Sequence, residues 1–541
     1  MKAKIGDVYT IYNNRLRLYT ACQITNVIED KGDAICLYLD WTGESPLHLV
    51  QMENLQPLYM DFMYWERQLC IANVDIDVPA YFIFVGNIPP LTNEENSYFG
   101  TGNYGYDVYR QIKWQQIPEE RRKAFKIAMK SEETVWLNGT EYKISSHYVD
   151  DAHCPFSKAD ELKVFPCLST LVLKEYHQGL IEYLDNTPFI TELTYKGKGQ
   201  RSLDFRGTSL RKLLIDLTGI DELWLNDEME QLYLLNDKIS PCVIHARDNG
   251  ANLLLQYRKI FHPYPELSNL NSLHGIEINE VDMNDIFSVY PNLKELWLWG
   301  KPGYIRNFSV LESFRNIEVF ATRNLFGFSS EDIPVPERME HLNWLWMTSL
   351  PEDAAKCIKK LYKKRKNEGM NLSVTQARKP EWIKENMDNP FRDWDDSDYI
   401  SPSSAKKAII QYRKTRNELL ALNVQNDPEA QTKAIAAVEE YTKTFNRMRC
   451  IETDERDLVY EVLCSIIDYM NNPIIDKADI VVTNYPFGLK TFGLDDLEYG
   501  EYKNLPISNA DYHFLTLCLS RMKDRGAIIV SDGVLFRGSK E

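Results

Sequence analysis

Four consecutive residues late in the chain carry groups that could bind and orient a ligand: Asn484, Tyr485, Pro486 and Phe487, in the stretch DKADIVVTNYPFGLK. They follow the continuous apolar run ADIVVT, Ala478 to Thr483, which reads as a strand buried on both faces of a parallel sheet. The carboxyl end of such a strand is where open α/β sheets bind their ligands. Other chemistry-bearing patterns read as structure. GTGNYG places Gly100, Gly102 and Gly105 at phosphate-loop spacing, but such a loop must follow a buried strand and open a helix. The flanks NEENSYF and YDVYRQIKW fit neither, so a surface turn is expected. Asp393, Asp395, Asp396 and Asp398 cluster as in a calcium loop, but its sixth-position Gly and twelfth-position Glu are missing. The ten cysteines form no C-x-x-C pair and have no His at zinc spacing, which predicts reduced thiols and no metal. The basic run KKLYKKRKNEG, Lys359 to Gly369, closes a helical pattern before a glycine, where the macrodipole favours cations.

The elements that must position Asn484 to Phe487 can be read downstream of them. Ser508 and Asp511 make a capping-box-like helix start, and Phe514, Leu515, Cys518, Leu519 and Met522 form an apolar stripe. Arg521, Lys523 and Arg525 load the last turn before Gly526, and Ala527 to Ser531 is a second buried strand. Strand, helix and strand make a βαβ unit of Rossmann-like type.

With these elements in order, Asp476 to Glu541 resembles the methylation subunit of type I restriction-modification systems, within the adenine-N6 DNA methyltransferases. That family shares Asn-Pro-Pro-Phe, or a close variant, then a helix and a strand ending near V-L-F-x-G, which here is GVLFRG. The resemblance implies that an adenine is flipped from the duplex and that its amine donates to the Asn484 side-chain oxygen and the Tyr485 carbonyl. It also implies that Pro486 forms the turn and Phe487 stacks on the base. Tyr485 stands where the family has its first Pro, so the fixed φ that stiffens the loop is lost. S-adenosylmethionine is the cofactor the resemblance implies, held at a Gly-rich turn upstream of the motif. No such turn is recognisable: LLIDLTGIDEL, Leu213 to Leu223, has one glycine, Gly219, and lies within a repeat array. Residues 403–470 read as amphipathic helices. The chain ends at RGSKE, just after the second strand, so the family pattern is expected to be cut short.

The body of the chain has a different character. Residues 1–150 mix β-type runs such as DVYTIY, RLYTACQITNVI and AICLYLDW with turns, which predicts a strand-rich α+β domain. Its opening, KIGDVYTIYNNRLRLYTACQITNV, resembles an immunity-protein domain of polymorphic-toxin systems. From 160 to 350 an apolar pattern recurs, as in LSTLVL, ITELTY, LRKLLI, IDELWL, LKELWL, FRNIEV and MEHLNW. Most copies step by roughly 20 to 25 residues and some by about half that. The region resembles leucine-rich-repeat proteins of irregular bacterial form, with Asn226 at a ladder position. Trp297 and Trp299 either fill the core or stud a concave binding face. Residues 351–402 read as a linker and 403–470 as a helical capping segment, with Thr453 as N-cap and Leu458, Val462, Ile466 and Met470 on one face of its last helix.

The expected fold is thus multidomain α/β: a strand-rich domain, a repeat solenoid, a helical segment and a partial βαβ fragment over 476–541. A net charge of -17 excludes a chain that wraps nucleic acid over most of its surface. No apolar run approaches the ~18 residues that a bilayer requires, so no membrane partner and a cytoplasmic location are expected. The function expected is a protein-interaction role through the repeats, immunity- or antitoxin-like, with the methyltransferase segment retained from a gene fusion near residues 471 to 476. The alternative is a component of a type I restriction-modification DNA methyltransferase, binding DNA and transferring methyl from S-adenosylmethionine with a partner that supplies the missing half.

Overall fold

The computed structural model describes residues 2–79, 81–94, 105–397, 399–422, 429–448 and 450–468. The expected strand, helix and strand of 476–541, with Asn484 to Phe487, lie outside these residues. The chain is mixed α/β and separates into two compact units, Met1–Ala377 and Arg378–Glu541. Residues 1–150 and the repeat region belong to the same unit. Among the described residues, no helix is long and apolar enough to cross a membrane.

Successive side chains of a strand point to opposite faces, and the first sheet buries both. Strands β1 (Asp7–Asn13), β2 (Leu18–Ile28) and β3 (Asp33–Gly43) pair antiparallel as consecutive neighbours. A short ribbon, β4 (Tyr59–Met60) with β5 (Gln68–Leu69), leads to β6 (Ile71–Asp75) and β7 (Ile83–Asn87), which complete the order β6-β3-β2-β1-β7. Tyr9, Cys22, Cys36 and Tyr38 pack on one face with Val108, Trp114, Phe125 and Ala128 of helices α1 (Tyr106–Gln116) and α2 (Glu119–Met129). Their neighbours Val8, Ala21, Leu37 and Leu39 pack on the other against Leu47, Met52 and Leu55. A hairpin, β8 (Thr134–Leu137) with β9 (Thr140–Lys143), follows.

The repeat region forms a long sheet in the order β10-β11-β12-β14-β16-β18-β19-β20-β21-β22-β23. Its first strands are β10 (Tyr148–Asp150), β11 (Thr170–Leu173) and, after helix α3 (Leu180–Asp185), β12 (Glu192–Tyr195). Between β12 and β18 the chain alternates between two sheets. β13 (Ser202–Asp204), β15 (Glu222–Trp224) and β17 (Val243–His245) form a separate three-stranded parallel sheet. β14 (Lys212–Ile215), β16 (Gln231–Leu234) and β18 (Leu254–Arg258) continue the long one. The half-period copies in the sequence have this cause: IDELWL holds β15, so its Leu223 enters the same core from the opposite wall.

The long sheet continues through β19 (Ser272–Asp282), helix α4 (Met283–Val289), β20 (Glu295–Arg306), β21 (Val319–Phe326) and β22 (Trp344–Pro351). Register brings Leu171, Leu193, Leu213, Leu232, Leu255, Leu273, Leu296, Phe320 and Leu345 into one row across parallel strands. None of them is more than 3% exposed. A second inward row, Leu173, Tyr195, Ile215 and Leu234, is equally buried until Gly275, where a Cβ would sit 2.5 Å from the Tyr257 hydroxyl. The large ring of one rung thus takes the space of the next rung's side chain. Asn226, 4% exposed, donates to Thr208 Oγ1 at 2.9 Å and to the Leu210 carbonyl at 2.8 Å, and accepts from the Glu228 N–H. It satisfies turn groups that would otherwise be buried without partners.

Residues 351–402, expected as a linker, are structured. Helix α5 (Glu352–Leu361) buries Ala354, Ala355 and Ile358, and the basic run closes it and forms α6 (Lys363–Asn367). Arg365 donates to the carbonyls of Glu340 and Leu342, and β23 (Asn371–Arg378) ends the sheet. In the second unit, α7 (Pro380–Asn386) precedes a turn in which Phe391 and Trp394 are buried beside the acids. Composition misled here because two aromatic core residues stand within an acid-rich stretch. Helices α8 (Pro402–Ala421), α9 (Ala430–Asn446) and α10 (Thr453–Asp468) complete this core with Leu419, Val438, Tyr441, Phe445, Val459, Leu463 and Ile466. Of the face expected on α10, Val462 and Ile466 are buried and Leu458 partly so, while Met470 lies outside the described residues.

Truncation of Leu296 to alanine is expected to destabilise the first unit by about 2–5 kcal/mol. Trp299→Ala, on the outward side of the same strand, should cost less than about 1 kcal/mol. Urea unfolding of both variants checks this, and equal costs would contradict the assignment of inward and outward sides.

Candidate functional site

The side chains that alternate with the buried rows form the outward face of the long sheet, and its chemistry is concentrated on β19 to β22. Register places His274 beside Trp297, and the two rings stack at 4.9 Å and 15°. Trp299 and Trp344 stand 5.8 and 6.2 Å from Trp297, ring centre to ring centre. Trp299 is 37% and Trp344 40% exposed, and the Trp297 indole N–H is buried without a hydrogen-bond partner. Of the two readings that the sequence left open for Trp297 and Trp299, core filling does not describe Trp299, which stands on the outward face with Trp344. Large rings that keep an apolar face and a free donor are the residue types that anchor partners.

Beside them Ser272 Oγ donates to Glu295 Oε2 at 2.8 Å, and His274 Nε2 lies 3.4 Å from Glu295 Oε1. Burial would raise the Glu295 carboxyl, but the hydrogen bonds from His274 and Ser272 outweigh it and hold the group below its ordinary value. Serine, histidine and a carboxylate invite comparison with an acyl-transfer triad. The connectivity differs: Ser272 Oγ gives its proton directly to Glu295, and its 3.3 Å contact with His274 involves the same Nε2 that faces the acid. A relay needs the imidazole between the hydroxyl and the carboxylate, so this cluster only fixes polar groups on the outward face of the sheet.

A second polar cluster joins α1 to the start of the array. Lys113 pairs with Glu228, Arg15 with Glu230, and Tyr109 donates to Glu228 Oε2 at 3.0 Å. Gly105 explains the end of GTGNYG. It has φ 91° and opens α1, so the following flank is helical, contrary to the expectation that this flank would not open a helix. A Cβ there would lie 2.7 Å from Asn13 Nδ2, which donates to the Gly105 carbonyl. The glycine thus serves a tight turn against β1; Gly100 and Gly102 lie outside the described residues. In LLIDLTGIDEL, Leu213 and Ile215 are buried rung residues, and Asp216 accepts from the Thr218 N–H and from Asn236. Among the described residues no group of His, Cys, Asp or Glu could hold a metal ion, and the nine described cysteines are free thiols.

The sequence-predicted residues Asn484, Tyr485, Pro486 and Phe487 lie outside the described residues. A family model described as N-6 DNA Methylase matches residues 441–541. No curated protein matches the chain. The match opens upstream of Asp476, within α9, and takes in all of α10. Upstream of Asn484 the matched residues spell out no Gly-rich turn. The stretch from Met370 to Phe487 contains no glycine, whereas a loop that cradles S-adenosylmethionine upstream of the motif needs glycines for close backbone approach.

Glu295→Gln measures the polar cluster on the sheet. Because the folded carboxyl lies below its ordinary value, its contribution is present above the unfolded pKa of about 4.3 and is lost as pH falls through the folded value. The variant should be less stable than the parent by about 1–2 kcal/mol at pH 7. Denaturation midpoints at pH 7 and near pH 3 should show that gap closing in acid; a constant gap would rule out this linkage.

Proposed function

We propose that this chain is a DNA adenine-methylation-related protein in which the C-terminal segment supplies the adenine-binding half of an N6-methyltransferase. A second chain supplies the S-adenosylmethionine half. The observation that carries this is the family match over 441–541, which contains Asn484 to Phe487. In this reading Asn484 accepts from the adenine amine through its side-chain oxygen, Tyr485 through its backbone carbonyl, Pro486 sets the turn, and Phe487 stacks on the base. The absence of glycine from Met370 to Phe487 is the reason that no transfer step is assigned to this chain alone.

The repeat region is read as a leucine-rich-repeat array that binds a protein partner through Trp297, Trp299 and Trp344. Each repeat buries its inward row only against its neighbours, which leaves the opposite row free for recognition. This supports a second reading, an interaction protein of immunity or antitoxin type whose methyltransferase segment came from a fusion and has no activity. The aromatic cluster on the outward face favours it.

Two measurements separate the readings. Purified full-length chain should give no calorimetric signal with S-adenosylmethionine, yet should bind DNA carrying an unpaired adenine. Asn484→Ala and Phe487→Ala should each weaken that binding by roughly tenfold, as loss of a stacking or hydrogen-bonding group requires. Cofactor binding by the chain alone would sink the two-chain reading. Undiminished DNA binding in both variants would leave only the interaction reading, for which truncation after Met470 should preserve capture of the partner.

A further inference from the structure

Within the first unit, α1 and the turns that precede β12 and β14 enclose a cavity of about 280 Å³. Its lining includes Phe62, Phe189, Arg110, Lys113, Trp114 and Arg211. The walls hold more hydrogen-bond donors than acceptors. Arg110 is half-buried, and among the described residues its hydrogen bonding is confined to the Met63 sulfur at 4.0 Å. The rest of its contact is with ring faces, 4.4 Å from the centre of Phe62 and 5.7 Å from that of Tyr106. A guanidinium offers five donors, and a thioether is a weak acceptor.

Two more donors are in the same condition. Trp114 is 3% exposed and its indole N–H has no partner. Arg211 Nε is buried without a hydrogen bond, although Glu230 lies 3.3 Å away, and another of its nitrogens meets the Tyr106 hydroxyl. Glu228 is the carboxylate in the lining, and Lys113 and Tyr109 already engage it. The lining holds three cations and one carboxylate, with Glu230 beside Arg211 and Asp107 and Glu230 near enough to Arg110 to favour its charged form, in a chain of net charge -17. Burial, reinforced by the like charge of Arg211, pushes the Arg110 guanidinium down from its ordinary value. Native interiors rarely leave donors unmatched, and an anion is the group that would match these.

The remaining wall is aromatic, with Trp114 and Phe189 in ring contact at 5.6 Å. The volume lies near the lower end, about 300 Å³, of pockets that take small molecules. We propose that this cavity binds a small aromatic anion, a single ring bearing a carboxylate or phosphate monoester. Arg110 and Arg211 hold the charged oxygens, the Trp114 N–H adds a donor, and the ring lies against Phe62 and Phe189. The site is independent of the methylase-related segment.

Calorimetry on the full-length chain tests it with benzoate, phenyl phosphate, inorganic phosphate and benzyl alcohol. Saturable binding is expected for benzoate or phenyl phosphate, and which of the two binds more tightly identifies the anion. Inorganic phosphate and benzyl alcohol should each bind at least tenfold more weakly than the better aromatic anion, since each lacks one half of the recognised group. Arg110→Met should weaken the better ligand by at least tenfold, Arg110→Lys should restore part of the loss, and Trp114→Phe should weaken it roughly threefold. Lys130→Met, which alters an exposed pair with Glu66 away from the cavity, should leave affinity unchanged. Should Arg110→Met fail to fold, Arg110→Lys and Trp114→Phe carry the test. No saturable binding of either aromatic anion overturns the proposal. So does affinity that is unaltered in the folded cavity variants, or inorganic phosphate binding as tightly as phenyl phosphate.

Discussion

The first unit depends on one constraint: a short parallel strand cannot bury its own apolar side chains. Leu213 or Leu296 becomes fully buried only because the strands on either side place Leu193 and Leu232, or Leu273 and Phe320, in the same row. Each such burial contributes about 1.5–3 kcal/mol, and none of it exists for an isolated repeat. The same requirement sets the register, because a slip of one residue would turn every rung inside out. Irregularities in the row are absorbed by neighbours, as where the Tyr257 ring covers Gly275.

Fixing one side of each strand also fixes the other. The residues between the buried positions are forced outward together, so Trp297, Trp299, His274 and Trp344 meet although they come from three strands far apart in sequence. The array is therefore both the core and the frame of its surface. Its edge near α1 shows a related effect. Arg110 and Arg211 are about a hundred residues apart, and the docking of the helix on the turns before β12 and β14 brings both to one cavity.

The methylase-related segment stands on different ground, since it rests on residue order in the sequence and on a match to a family model. That match begins within the helical second unit, so the family pattern and the α9 and α10 core share residues. A helix whose buried face holds Val459, Leu463 and Ile466 carries no glycine with which to approach a cofactor. Asn484 to Phe487 agree with the family's Asn-Pro-Pro-Phe in three of four positions, with Tyr485 the exception, and no glycine-rich stretch precedes them.

Much was readable from the sequence alone. The L-x-x-L-x-L spacing identified the inward residues, because side-chain alternation is a local property of a strand. The amphipathic faces of α8 to α10 and the helix-ending role of Lys359 and Lys360 were local in the same sense. Tertiary structure decided what local pattern cannot express. It assigned the half-period copies to a second sheet, drew residues 351–377 into the array, buried Phe391 and Trp394 in the helical core, and turned Gly105 into the start of a helix. Each outcome depends on which distant segment covers a given side chain. Covering is a property of the assembled core, whereas periodicity is a property of the chain.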